Sequence, residues 1–404
     1  MLRIALTALV SSLKPTSRIV ILLSALTCLV ASVTRVSTQP RRFYVSLNGD
    51  DRNIGTEQAP FRTLRKGASV LTPGATLYVM GGTYAESLVN AIPGGSSWAS
   101  PVTVAAYPGH TVTVKPSSGS HRVLHFDGAD RQYIVIDGLI LDALNVSYDA
   151  VKITHSGTDV AASAHHIRIV RSEVRNAPSQ GILVTGRSNS NEFLQLKVHD
   201  NGTSDFDHGI YIATDNNLVE GCEIFRNAGW GVHIYNGAGT TNRNVVRSNK
   251  IHNNGRVGKR GPGIGIYTGS DNVAYNNILW RQQIGIHLDH GANASIVANN
   301  TIYGHQDYGI FNGLTSKKAM IQNNIGYSNH TEIRNLGFTA TIGYNLTDRD
   351  PQFRSIDTFD FRLRPISPAI GAGTIIPLVT TDFSGAPRPL GRPYTIGAFE
   401  GNHK

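Results

Sequence analysis

The chain has 404 residues, among them 42 Gly, 17 Pro and 2 Cys, with 40% hydrophobic and only 16% charged residues, and 37 Lys+Arg stand against 28 Asp+Glu for a formal charge of +9. A disordered chain lacks the apolar residues to build a core, so disorder is excluded, and two cysteines exclude a disulfide scaffold and a cysteine-rich zinc site. The positive excess raises nucleic acid as a partner, and its location along the chain decides that question.

Residues 1–40 hold Arg3, Lys14, Arg18 and Arg35 and no acid, together with the apolar run Ile19–Val33. That run has the length of a signal-peptide core and is short for a membrane span. Residues 1–40 therefore read as an export segment, with an uncleaved N-terminal anchor as the alternative. Both place the body outside the cytoplasm: secreted, periplasmic or at the cell surface. Loss of the four cations leaves 33 basic against 28 acidic residues, a charge of about +5, which argues against nucleic acid as a partner. No stable membrane insertion is expected of the mature chain, and a monomer is expected. Cys28 leaves with the segment; Cys222 remains as a small buried apolar residue.

Residues 41–122 read as an N-terminal cap and first coils. Apolar spacing at Phe61, Leu64, Ala68 and Leu71 predicts a short helix. Residues 123–346 read as repeats. A Gly- or Asn-rich turn followed by a Gly-Ile or Gly-Val pair recurs at Ala150, Gly181, Gly209, Gly231, Gly263, Gly285 and Gly309, at spacings of 31, 28, 22, 32, 22 and 24 residues. Alternation as in Gly231-Val-His-Ile-Tyr235 predicts short strands with one face inward. Asparagine marks the same units: 25 of the 30 Asn lie between 165 and 346. Asn249, Asn276, Asn300 and Asn323 sit between apolar positions, with Cys222 in the equivalent place, and inward asparagines at a turn can hydrogen-bond along a ladder from coil to coil. Residues 347–404 read as a C-terminal capping segment.

On these residues the chain resembles the right-handed parallel β-helix proteins of the pectate lyase superfamily, and the fold expected is an all-β, right-handed parallel β-helix solenoid with an N-terminal capping helix. Phe43–Asp50, Pro60–Leu64 and Leu77–Tyr84 resemble the N-terminal module of secreted bacterial β-helix proteins and of family 9 pectate lyases. The segments Asp350–Phe353, Ser367–Ile370 and Ile396–Glu400 resemble their closing segment. The Asp-Asp-Gly-Trp-Asp calcium signature of family 9 does not occur, nor does the motif set of the polygalacturonases.

A solenoid offers a groove along one sheet, built from the outward side chains of successive coils. One predicted outward column reads Lys152, Leu183, Tyr211, His233, Gly265, His287 and Phe311; a second runs through Tyr235, Tyr267 and Asp289; a third through Asp149, Gln180, His208 and Trp230. Rings beside polar groups suit sugars, which need stacking and hydrogen bonds together. His233, Tyr235, His208 and Tyr211 are the candidate acid–base residues. Tyr267, His287, Asp289, Trp230 and Lys152, with Arg256, Lys259 and Arg260 on a basic loop, are the candidate substrate contacts. That loop points to an acidic, uronic-acid-containing polysaccharide. Asp205 and Asp207 share a second loop and are candidate ligands for a hard cation such as calcium.

Hydrolysis of a glycosidic bond uses two carboxyls about 5–9.5 Å apart. At about 4.8 Å per coil, Asp207 and Asp289 stand roughly 14 Å apart, and Asp149 and Asp207 roughly 10 Å. β-Elimination, or C5 epimerisation, needs instead a base, an acid and a neutralised carboxylate, which His, Tyr, Lys and Arg supply. His233 is the expected base and Tyr235 the expected acid, because both lie mid-groove between the two loops. The sequence thus favours a polysaccharide lyase or C5 epimerase. A non-catalytic glycan-binding or structural β-helix protein and a glycoside hydrolase remain as alternatives.

Overall fold

Three short strands form in each coil because the apolar residues alternate and a turn interrupts them every few positions. In Ile210–Ile212, for example, the two isoleucines are fully buried and Tyr211 between them faces out. The computed structural model describes residues 41–155, 162–239, 241–258 and 261–401. Among them, successive coils stack into three parallel sheets. Sheet 1 has twelve strands, from Arg42–Val45 to Thr341–Gly343; sheet 2 has ten, from Gly82–Tyr84 to Ile325–Tyr327; sheet 3 has ten, from Leu88–Val89 to Thr331–Asn335. The architecture is a parallel β-helix.

The inward residues stack in files. Ile182, Ile210, Val232, Ile264 and Ile286 pair in register along sheet 3, and none is exposed to solvent. Burying each such side chain contributes about 1.5–3 kcal/mol. The predicted N-terminal helix is present as α1 (Leu64–Ser69), shorter than its apolar spacing suggested. Thr63 caps it by accepting from the Lys66 amide, and Leu64 and Ala68 are buried in the core beside the first two strands of sheet 1.

Corners of the coil leave backbone groups unpaired, and asparagine ladders satisfy them. Between sheets 1 and 2 the ladder runs Cys222, Asn249, Asn277, Asn300, Asn324, Asn345, each step joining a backbone N–H to the next Asn Oδ1 at 2.8–3.1 Å. Two expected members are corrected by one residue. Val273 and Met320 face outward, so the inward files pass through Ala274 and Ile321, and Asn277 and Asn324 turn in. Asn276 and Asn323 instead adopt positive φ and hold the C-terminal segment at Thr381 and Thr374. Two further ladders line the other corners: Asn191, Asn217, Asn244, Asn272, and Asn201, Asn227, Asn254 continued by Gln282.

The C-terminal segment, expected to close the stack, runs along its flank. Phe353 and Phe361 pack with Trp280 and Ile325, and Asn299 donates to Thr395 O and Gly397 O. Its anchor is Arg388, whose fully buried side chain donates to Glu400 Oε2, Thr395 O, Gly397 O and Asn276 Oδ1.

Candidate active site

The three outward columns fall where the Gly-Ile landmarks put them. Strand register sets Lys152, Leu183, Tyr211, His233, Gly265, His287 and Phe311 side by side along sheet 3. Parallel strands stack like residues at about 4.8 Å, so any ring on one coil reaches the next. Asp205, Phe206, His208, Tyr211, Trp230, His233, Tyr235, Tyr267 and His290 line a cavity of about 430 Å³. It continues past Tyr235 and His290 into a second of about 680 Å³, bordered by Asp289, Thr315, Lys317, Leu314 and Phe338.

Gly265 shapes its floor. A Cβ there would lie 2.5 Å from Trp230 Cζ3, so only glycine lets the indole lie across the coil. The indole meets His233 at 3.9 Å and Tyr267 at 4.8 Å between centroids. Tyr211 and Tyr235 both stack on His233, at 4.9 and 5.5 Å. Phe206 stands at the rim, 77% exposed.

Two hydrogen-bonded pairs lie in this floor. The Trp230 N–H donates to His208 Nδ1 at 3.1 Å, and His208 Nε2 lies 3.0 Å from His233 Nδ1. Burial pushes His208 down to about 3 and holds His233 well below the usual histidine range, with the His208 ring adding to the effect on His233. His233 Nε2 is buried and has no hydrogen-bond partner. In the second pair Tyr267 Oη lies 2.8 Å from His287 Nδ1. His287 Nε2 stands 3.8 Å from Asp289 Oδ2, close enough for charge attraction but beyond a hydrogen bond. Contact with His287 and hydrogen bonds from Thr315 keep Asp289 well below the ordinary carboxyl range; burial lowers His287 and raises Tyr267.

Several expected contacts lie elsewhere. Arg256 turns away from the groove and donates to the carbonyls of Arg226 and Gly202, so it is a brace of the loop and not a substrate contact. Its loop partners Lys259 and Arg260 lie outside the described residues. Lys152 is on the same sheet but two coils before Tyr211, near Asp149, which Arg122 engages at 3.2 Å. Asp205 and Asp207 have different surroundings. Asp207 accepts from the Thr203 and Ser204 amides and from the Ser204 and Ser179 hydroxyls, which fixes the loop, while Asp205 faces the cleft. Among the described residues no three His, Cys, Asp or Glu side chains converge as a metal site. Calcium takes six to eight oxygens, several of them carboxylate, and the cleft's donors, chiefly imidazoles and phenols, do not fit it. Sequence reasoning missed His290, exposed and stacked on Tyr267 at 4.4 Å, although the turn Asp289-His290-Gly291 directly follows a column residue. Phe206 was overlooked beside the two aspartates of its loop.

Comparison with known proteins agrees with this architecture. Residues 43–345 match the family model described as Pel9A-like, right-handed β-helix region, and the chain belongs to that family. It is 26% identical over 327 residues to the uncharacterized protein YwoF of Bacillus subtilis (strain 168), covering 72% of this chain and 69% of that protein. It is 27% identical over 166 residues to pectate lyase PEL9 of Emericella nidulans, spanning 39% of either chain. The crystal structure of pectate lyase Pel9A superposes with a TM-score of 0.72 at 18% identity, over 90% of this chain and 96% of that one. The fold is therefore a right-handed parallel β-helix of the pectate lyase-like kind.

Proposed function

We propose that this member of the Pel9A-like family is a polysaccharide lyase that cleaves a uronic-acid-containing polymer by β-elimination. The observation that carries the reading is the composition of the cleft: imidazole and phenol groups hydrogen-bonded in pairs, between aromatic walls, on an open sheet. Trp230, Tyr211, Tyr235 and Phe206 offer faces for sugar rings. Hydrolysis is less well supported, because Asp149 is engaged by Arg122 and Asp289 accepts hydrogen bonds from Thr315. Relatives named as pectate lyases add weight, since pectate is a uronic-acid polymer. Lys317 borders the distal cavity and would meet a substrate carboxylate there.

Residues 1–40 would carry the enzyme out of the cytoplasm, to the side of the membrane on which such polymers lie. The test is to incubate the purified chain with pectate and other uronic-acid polymers and follow the ultraviolet absorbance of the new double bond conjugated to the carboxylate. Elimination creates that chromophore. Hydrolysis, epimerisation and binding alone do not, so binding without absorbance would refute the reading, and deuterium uptake at C5 without absorbance would mark an epimerase. Turnover is expected to survive chelation of divalent cations.

A further inference from the structure

We propose that Tyr267 is the proton-abstracting group of the cleft, primed by His287 and Asp289, and that His233 is confined to donating a hydrogen bond. The inference rests on the lyase reading for its chemistry and on hydrogen-bond direction for its assignment.

Direction follows from one backbone amide. The Trp230 N–H points at His208 Nδ1, so the neutral His208 ring carries its proton on Nε2. That N–H faces His233 Nδ1 at 3.0 Å, which makes His233 Nδ1 an acceptor and places its own proton on Nε2. Both rings are more than nine-tenths buried, and a second proton on either would set two N–H groups against each other. His233 therefore has no free lone pair with which to act as a base. Its Nε2–H, buried and without a partner, awaits a substrate oxygen.

In the other pair a carboxylate sets the direction. Asp289 faces His287 Nε2 and favours the proton there, since a lone pair turned toward the anion would be repelled. His287 Nδ1 is then the acceptor of the Tyr267 O–H at 2.8 Å. Carboxylate, imidazole and hydroxyl stand in the order that activates a nucleophile in hydrolytic triads, with a phenol in the hydroxyl's place.

In the reaction the Tyr267 phenolic proton passes to His287 Nδ1 as the phenolate oxygen takes the C5 proton. The C–H electron pair becomes the C4=C5 bond and the C4–O bond breaks. Tyr235, its ring 6.5 Å from that of Tyr267, gives its phenolic proton to the leaving oxygen. The imidazolium of His287 returns a proton to the Tyr235 phenolate through water. His233 Nε2–H stabilises the charge that builds on the substrate.

The test reads tautomers first. In the full chain labelled with ¹⁵N-histidine, two-bond ¹⁵N–¹H spectra, assigned with His208→Gln, His233→Gln and His287→Gln, should show Nε2–H on all three rings. Asp289→Asn should shift His287 toward Nδ1–H. A proton on Nδ1 of His287 in the unaltered chain would overturn the Tyr267 assignment, and an unprotonated Nε2 on His233 would overturn its donor role. On any polymer the chain turns over, Tyr267→Phe should lower kcat about 100-fold or more and keep KM within about threefold. Retained kcat would also overturn the proposal. Absence of turnover on every polymer would instead strike the lyase reading and leave the tautomer result to stand or fall by itself.

Discussion

Removing one ladder asparagine tests how this solenoid is held together. Asn300 is fully buried. Its Oδ1 accepts from the Asn277 N–H at 2.9 Å and from Asn277 Nδ2 at 3.0 Å, and its Nδ2 donates to Ala274 O at 2.9 Å and Asn324 Oδ1 at 3.0 Å. Asn300→Ala strands three groups: the Asn277 amide, one Asn277 side-chain N–H and the Ala274 carbonyl. Asn324 Oδ1 keeps the Asn300 backbone N–H. Each stranded buried group costs about 1–3 kcal/mol, so the expected loss is about 3–9 kcal/mol, at the low end if water enters the space. Asn300→Asp conserves volume but turns a buried anion toward Ala274 O and Asn324 Oδ1, so it should cost more than Ala. Urea unfolding followed by far-ultraviolet circular dichroism measures both, with exposed Asn48→Ala as a control expected within about 0.5 kcal/mol of the parent. An alanine cost under about 1 kcal/mol, or an aspartate milder than alanine, would mean that packing volume and not hydrogen bonding holds the corner.

Gly265→Ala drives a methyl into the Trp230 ring, and the displaced indole should cost about 1–3 kcal/mol of stability and raise KM on any accepted polymer; unchanged KM and melting temperature would show that the indole does not form the floor. Acid sensitivity should trace in part to His305, fully buried and pushed down by burial from 6.5 to about 4. Its neutral form contributes full stability above pH 6.5, and that stability is lost as pH falls toward 4, because the unfolded chain takes up the proton first. The loss by pH 5 is about 2 kcal/mol. His305→Asn, which supplies the amide found at Asn254 and Asn329 in the same corner file, should reduce the fall in unfolding free energy from urea titrations between pH 7 and 5 by that amount, and an unchanged fall would acquit His305. Arg388→Ala removes the buried donor shared by Glu400 Oε2, Thr395 O, Gly397 O and Asn276 Oδ1 and should cost about 3–5 kcal/mol; limited proteolysis should then cut after residue 346 before the coils, and equal resistance would mean that the apolar contacts of Phe353 and Phe361 suffice.

Periodicity made the site sheet legible and left its chemistry hidden. Because side chains alternate strictly along a strand, one landmark per coil fixed which residues share a face, and Tyr211, His233, Gly265 and His287 fell into one file without any knowledge of the intervening loops. The same logic failed by one residue at Asn276 and Asn323, where an outward apolar residue, Val273 or Met320, imitated the inward one. The other two ladders escaped because each asparagine has its apolar neighbour on one side only, as in Asn217-x-Val219 and Ile224-x-x-Asn227, and a variable loop on the other. Arg256 shows the limit most plainly: its charge is readable, but its partner is the carbonyl of Gly202, 54 residues earlier and two coils back. The roles of His233 and Tyr267 are of the same kind. Both were visible as groove residues, yet which one holds a free lone pair depends on a Trp230 amide and an Asp289 carboxylate whose directions only the packed side chains fix. In a fold whose coils repeat, the scaffold is written in the period, and the chemistry resides in the contacts that depart from it.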